Sequence, residues 1–263
     1  MEILQFLKMN NEEKYLFSDF TFENYKRIIV SAKARYVFSL FNDELKKRNN
    51  KINNFIIWRH DVDHSIHNAL KMALIEHRLG VKATYFIHLH NEFYNFFEKD
   101  ISKIIFQIKE LGHDIGLHFD VHYYSISDEK SLIKYLRYEK KIIEKLIEGK
   151  INVFSFHNTN EFTMNCKKWK YAGLINTYAN FFQSRISYCS DSNGYWRFER
   201  LSEIIDQRKY DKLQVLTHPE LWQVEVMSPR ERIKHVAEIN TVRILKIYDD
   251  HLVEYNRPNI DWE

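Results

Sequence analysis

From residue 54 onward the apolar positions of this chain fall into a repeating rhythm. Short runs of bulky and β-branched side chains, at 55–58, 82–89, 113–119, 151–156 and 213–218, have the length and composition of buried strands. Between them lie longer segments with helical spacing. Residues 65–80 carry Ile66, Leu70, Ala73 and Leu74 on one stripe and stop at Gly80, residues 100–112 stop at Gly112, and residues 128–148 stop before Gly149. Strand, helix, glycine, strand, several times over, predicts an α/β protein with parallel strands and crossover helices. The first 50 residues read as a helical preface, with Tyr25, Ile28, Ile29 and Ala32 at helical spacing. Around Asn193-Gly194 the rhythm breaks, and strand-like flanks about a two-residue turn signal predict a hairpin or an ordered loop. Pro219 biases His218 towards an extended conformation. A last helix is expected from the capping box Ser228-Pro229-Arg230-Glu231 to about Tyr255.

Composition narrows this picture. The 263 residues are 44% hydrophobic, enough to bury a sizeable core. With 6 Gly, 3 Pro and no Pro/Ser linker, no internal boundary stands out, and residues 1–263 read as one domain with a core over 54–220. A net charge of +3 is too small to argue for nucleic acid, and the charged run 44–51 reads as a solvated face or loop. Cys166 and Cys189 form no CxxC pair, which points to a reducing compartment. The first 15 residues have no basic start and no long apolar core, and no run is long enough to span a membrane, so a cytoplasmic location is expected.

The stretch FIIWRHDVDHS, residues 55–65, carries the first candidate chemistry. In a strand, Arg59, Asp61 and Asp63 share one face, and His60 and Val62 the other. Two carboxylates on one face repel unless a proton, a cation or a metal lies between them. The plainer alternative is a solvated strand end with a salt bridge to Arg59. Other strands end similarly: His118 and His122 close one, His157 and Asn158 another, His218 a third. Functional sites of parallel barrels lie at the C-terminal strand ends, so these residues are placed to meet. His118 and His122 fall on one side of their segment, and two imidazoles with one carboxylate are a common three-ligand set for catalytic zinc. With 13 His in the chain, an HxxxH pair alone weighs little; an Asp-x-Asp at another strand end gives it weight.

At this point the sequence resembles the NodB-homology family of polysaccharide deacetylases, in its HDxD branch. "RHDVD" matches the family's first motif, "GHDIGLHFDVH" its second, and "VLTHP" its fifth; "SDSNGYWR" is a plausible fourth. At the third motif, where the family supplies an Arg before a Pro, this chain reads "SFHNTN". The resemblance implies a distorted (β/α) barrel of about seven strands. It implies a divalent metal ion, zinc first, held by Asp63, His118 and His122, with Asp61 as general base and His218 as general acid. It also makes Asp191 and Trp196 site-lining residues, although an Asp beside a turn is often only a capping residue. The missing Arg leaves the charge that orients Asp61 open among Arg59, His157 and Arg197; His157 could equally be packing. Asp120 is a spare ligand if its segment is extended. His60, His64, His67 and His113 read as structural.

These roles are chemically coherent. A cation polarises an amide carbonyl and acidifies water, a free carboxylate takes the water's proton, and a histidine protonates the departing amine near neutral pH. The first expectation is therefore a metal-dependent deacetylase acting on an N-acetylated sugar or sugar-containing precursor. The lack of an export signal favours a nucleotide-linked or lipid-linked intermediate over mature wall polymer. A second reading keeps the metal but assigns another C–N bond, or a metal-binding protein of weak activity. A third notes the His-Asp dyads at 60–61 and 113–114, as in helical HD-type phosphohydrolases, but here both flank β-rich runs.

Overall fold

The computed structural model describes residues 10–42, 45 and 54–261. Most of the charged run 44–51, and the first nine residues of the segment read for a leader, lie outside them. In chain order the elements are α1 (Phe22–Arg35), β1 (Val37–Ser39), β2 (Phe55–Val62), α2 (Ile66–Arg78), β3 (Thr84–His88), α3 (Lys99–Glu110), β4 (Asp114–Asp120), α4 (Glu129–Leu146), β5 (Val153–His157), β6 (Lys170–Tyr171), β7 (Leu174–Asn176), β8 (Ser187–Ser190), β9 (Lys212–Thr217) and α5 (Pro229–Glu254), with single-turn helices between.

Local chemistry explains most boundaries. Side chains of Thr21, Ser65 and Asp128 accept hydrogen bonds from backbone N–H groups of the first turns of α1, α2 and α4. Ser228 and Glu231 form the expected capping box on α5. The buried stripe of α1 is Tyr25, Ile28, Ile29 and Ala32, as its spacing predicts. On α2 the buried stripe runs Ile66, Ala69, Met72, Ala73 and Glu76, leaving Leu70 and Leu74 half-buried. Gly112 turns the chain out of α3 at φ +91°, which a side chain would resist.

Among the described residues nine strands form one curled sheet, in the order β6-β7-β5-β4-β3-β2-β9-β8, with β1 on β2. Every pairing is parallel except β6 with β7. β9 covers one edge of β2, while β1 (on 55–57) and β3 (on 59–62) share the other in succession. No pairing among the described residues joins β6 to β8, so the sheet is an open half-barrel. This is the expected distorted (β/α) architecture. The strands beyond about seven are short ones such as β1 and β6, at three and two residues, which carry no periodic signal. Asn193-Gly194 makes an ordered loop rather than a hairpin: β8 runs into a short turn with Asn193 at φ 67°, and pairs with β9 in parallel.

The sheet separates two cores. One lies between its outer face and the helices and includes Ile28, Ile29, Trp58, Met72, Tyr85 and Val215. The other, with Phe41, Ile57, Phe86, Val153, Ile175 and Phe182, plugs the inside of the half-barrel. Ile57, Phe86 and Val153 each precede by two residues an inward-facing polar side chain, Arg59, His88 or Ser155. The plug is thus a floor beneath the strand ends. Of α5 only Arg232 and Val236 are buried. Among the described residues no helix is long and apolar enough to cross a membrane.

Candidate metal centre

Alternation along the parallel strands sends every second residue inward. Arg59, Asp61 and the next residue of that parity, Asp63, come from β2; His118 from β4; Ser155 and His157 from β5. In register, His88 pairs with His118, His118 with Ser155, and Asp120 with His157. His218 follows β9 directly.

Asp63, His118 and His157 form a group that could hold a metal ion. Asp63 Oδ1 lies 3.0 Å from His118 Nε2 and 3.4 Å from His157 Nδ1, and the two ring nitrogens are 3.2 Å apart. Ligands bonded tetrahedrally to zinc at about 2.0–2.1 Å stand roughly 3.4 Å apart, so the triangle fits such an ion. Burial would raise the Asp63 carboxyl, but the His118, His157 and His218 rings outweigh it and hold it well below the usual range. The Asn158 side-chain amide lies 2.8 Å from His157 Nε2, supporting the ring from behind.

His122, expected as the third ligand, is not in this group. Its Nε2 lies 2.8 Å from the carbonyl oxygen of Asn158, and its backbone N–H donates to Asp120 Oδ1 at 2.7 Å. The chain turns after Asp120, so the four-residue spacing no longer aligns His122 with His118. Asn158, held at φ 46° where asparagine is tolerated, thus braces His157 with its amide and receives His122 at its carbonyl. Asp120 Oδ2 lies 4.0 Å from His88 Nε2 and does not join the triangle.

Asp61 lies beside the triangle but outside it. Its Oδ2 accepts hydrogen bonds from Arg59 Nη2 at 2.8 Å and Ser155 Oγ at 3.2 Å, and lies 3.8 Å from His118 Nδ1. Its Oδ1 is buried without a partner. Arg59 is therefore the cation paired with Asp61. It is sandwiched between Phe86 and Tyr178, with its guanidinium 5.5 and 5.4 Å from their ring centres. Burial opposes its charge, but Asp61 outweighs that and keeps its pKa above the ordinary value. Arg197 is exposed and lies over Phe198.

His218 faces the centre from β9, its Nε2 3.8 Å from Asp63 Oδ2. Its Nδ1 lies 2.6 Å from the fully buried Asp191, and its backbone N–H donates to both oxygens of that carboxylate, at 3.1 and 3.0 Å. Trp222 Nε1–H donates to Asp191 at 2.9 Å. Burial would lower the His218 pKa; Asp191 first, then Asp63 and Glu220, raise it to about 10. Trp196 instead donates to Asp19 at 2.8 Å and stacks on Phe20, lining neither cavity described below.

The remaining histidines divide. His60, on the outer face of β2, lies 2.8 Å from buried Glu76 and 2.9 Å from Thr217 Oγ1; Tyr25 and Tyr85 also donate to Glu76. His113 bridges the backbone of Ala73 and Ala83. Both are structural, as read from the sequence. His64 pairs with buried Glu220 at 2.8 Å. His88 is buried against the His157 ring, 4.5 Å between centres, and is pushed down to about 3 by burial and the neighbouring His118 and His157.

Two cavities flank Asp63. One, of about 540 Å³, reaches into the half-barrel past Asp61 and Arg59. The other, of about 740 Å³, opens over His64, His88, His90 and Glu220. Asp63, His157 and His218 line both.

No family model and no curated protein matches the chain. Among solved structures it is similar to a mutant of a CE4 family pseudoenzyme with restored enzymatic activity, at 14% identity over 72% of this chain and 62% of that one, TM-score 0.40. It is also similar to a family 4 carbohydrate esterase from Bacillus anthracis (16% identity, 78% of each chain, TM-score 0.37). A third match is the chitin deacetylase of the fungal pathogen Colletotrichum lindemuthianum (16% identity, 70% of this chain and 81% of that one, TM-score 0.41). The alignment spans less than two thirds of the first of these. At such TM-scores the likeness decides nothing about chemistry, which rests on the side chains themselves.

Proposed function

We propose that the chain is a metal-dependent hydrolase that removes an N-acyl group from a sugar or sugar-containing precursor, with zinc as its ion. The observation that carries this reading is the Asp63–His118–His157 triangle with a free carboxylate oxygen of Asp61 on one side and a carboxylate-backed His218 on the other. A divalent ion held there would supply Lewis acidity to the amide carbonyl and to water. Two neutral imidazoles and one carboxylate suit zinc and leave a position open.

The protein's own groups do the rest. Asp61 Oδ1, held by no other group, takes a proton from the attacking water, while Arg59 and Ser155 fix the other oxygen. His218 enters protonated, because Asp191 favours the imidazolium, and delivers its Nε2 proton to the amine nitrogen as the C–N bond breaks. Water's oxygen ends on the acyl carbon, and the products are a carboxylate and a free amine. Asp191 and Trp222 fix the ring so that Nε2 faces the centre.

Metal content tests the ligand set. Elemental analysis should find near-stoichiometric zinc in the parent protein and in His122→Ala, and little in His118→Ala or His157→Ala. Metal retained by His157→Ala but lost by His122→Ala would overturn it. Acetate release from N-acetylated sugars, abolished in Asp61→Asn with metal still bound, tests the activity.

A further inference from the structure

The cavity on the Asp61 side is larger than an acetyl group needs. It measures about 540 Å³, whereas a methyl group takes up about the room of one water, roughly 30 Å³. Its walls are largely apolar, with Phe156, Phe182, Ile186 and Leu216 among them. Yet, besides the atoms of Asp61, Asp63 and His118 at the candidate centre, three buried polar atoms of its lining residues have no hydrogen-bond partner: Arg59 Nε, Thr177 Oγ1 and Gln214 Oε1. Buried polar groups are rarely left unpaired, because each gave up its hydration. One of the three donates, one accepts and one can do either. The charge of Arg59 is already balanced by Asp61. The complement to such a set is a neutral hydroxyl rather than a carboxylate.

The position of the proton donor says which part of a substrate enters. His218 must reach the amine nitrogen, and its neighbours His64 and Glu220 line only the other cavity. Asp61 and Arg59 line only this one. The amine side therefore lies towards the polar cavity and the acyl side towards Arg59. We infer that the chamber bounded by Arg59, Thr177 and Gln214 is an acyl subsite selecting a hydroxylated acyl chain longer than acetyl. This rests on the N-deacylase reading above. Hydrolysis transfers water's oxygen to the acyl carbon and a proton to nitrogen, releasing a hydroxy acid and the amine.

The test uses zinc-loaded protein and three probes: N-acetyl-, N-butyryl- and N-(3-hydroxybutyryl)-glucosamine, with free amine as readout. The hydroxybutyryl compound should have the highest kcat/KM, at least about tenfold above butyryl. Thr177→Val and Gln214→Leu should each shrink that ratio several-fold; a ratio is insensitive to the fraction of protein that folds. Acetyl hydrolysed best, or a hydroxyl/butyryl ratio near one in the parent, overturns the subsite while leaving the deacylase reading standing. No amine from any probe, with zinc bound, removes the deacylase reading and the subsite together.

Discussion

Asp61 and Arg59 are both almost wholly buried, at 3% and 1% exposure. A buried ion pair is costly to break from one side, because the partner keeps its charge without its counter-charge. Arg59→Met is expected to cost about 3–5 kcal/mol in urea unfolding and to lose activity. His218 makes a second prediction. An acid must hold its proton, so activity falls as pH rises through the folded-state pKa, raised to about 10 in the bare protein by Asp191, Asp63 and Glu220 against burial. An ion on Asp63 brings that value down by adding positive charge nearby. Asp191→Asn removes the largest raising influence. The alkaline limb of its pH–rate profile should shift to lower pH, with a rate loss of about 10²-fold or more. An unshifted limb would assign the acid to another group. Arg59, Asp61 and Asp63 were legible as one face from alternation alone. The partnership of Asp191 with His218 and Trp222 was not, because Asp191 lies 27 and 31 positions before them and only the fold brings the three together.

At the scale of elements, β2 and β9 carry the proposed base and acid, and their register decides whether those two groups face each other. His60 pairs with Thr217 across that register, and the Thr217 hydroxyl links His60 to Trp58 on the outer face. Asp61 and His218 are the next residues along each strand. Strand β4 contributes through an absence. A Cβ on Gly116 would come within 2.6 Å of the Phe86 ring, which supports Arg59 from below. Gly116→Ala should therefore destabilise by about 1–3 kcal/mol in denaturant unfolding, as overpacking does, and lower activity as Phe86 displaces Arg59. A neutral effect on both would mean that the ring yields freely. The periodic helices and longer strands were legible because their periods repeat. β1, β6 and β7 were not, at two or three residues each. The burial of Glu76 was not legible either, since its partners Tyr25, His60 and Tyr85 meet it only in the fold.

Across the whole molecule, the strand ends of a half-barrel converge on one candidate ion site, so an ion bound there would tie β2, β4 and β5 together. A ligand that binds only the folded state stabilises it by mass action. Zinc at about 100 times its Kd should raise stability by about 2.7 kcal/mol, read as a higher thermal midpoint that a chelator reverses. His157→Ala should abolish that rise, and His122→Ala should keep it. The floor of aromatic and aliphatic side chains inside the half-barrel gives this site a fixed base, and the two cavities give it two approaches.

The amino-acid sequence by itself determined the α/β alternation, the strand ends that carry the candidate residues and the inward face of β2. Each of these follows from a local period, of two residues in strands and 3.6 in helices, that needs no partner to be read. Which imidazole completes the triangle was decided only in three dimensions. His122 and His157 are both histidines just past or at a strand end, but the chain turns after Asp120, while β5 stays in register with β4 and brings His157 alongside. The cation beside Asp61 was decided the same way. Arg59 reaches Asp61 along its own strand because Phe86 and Tyr178, distant in sequence, hold its guanidinium between them.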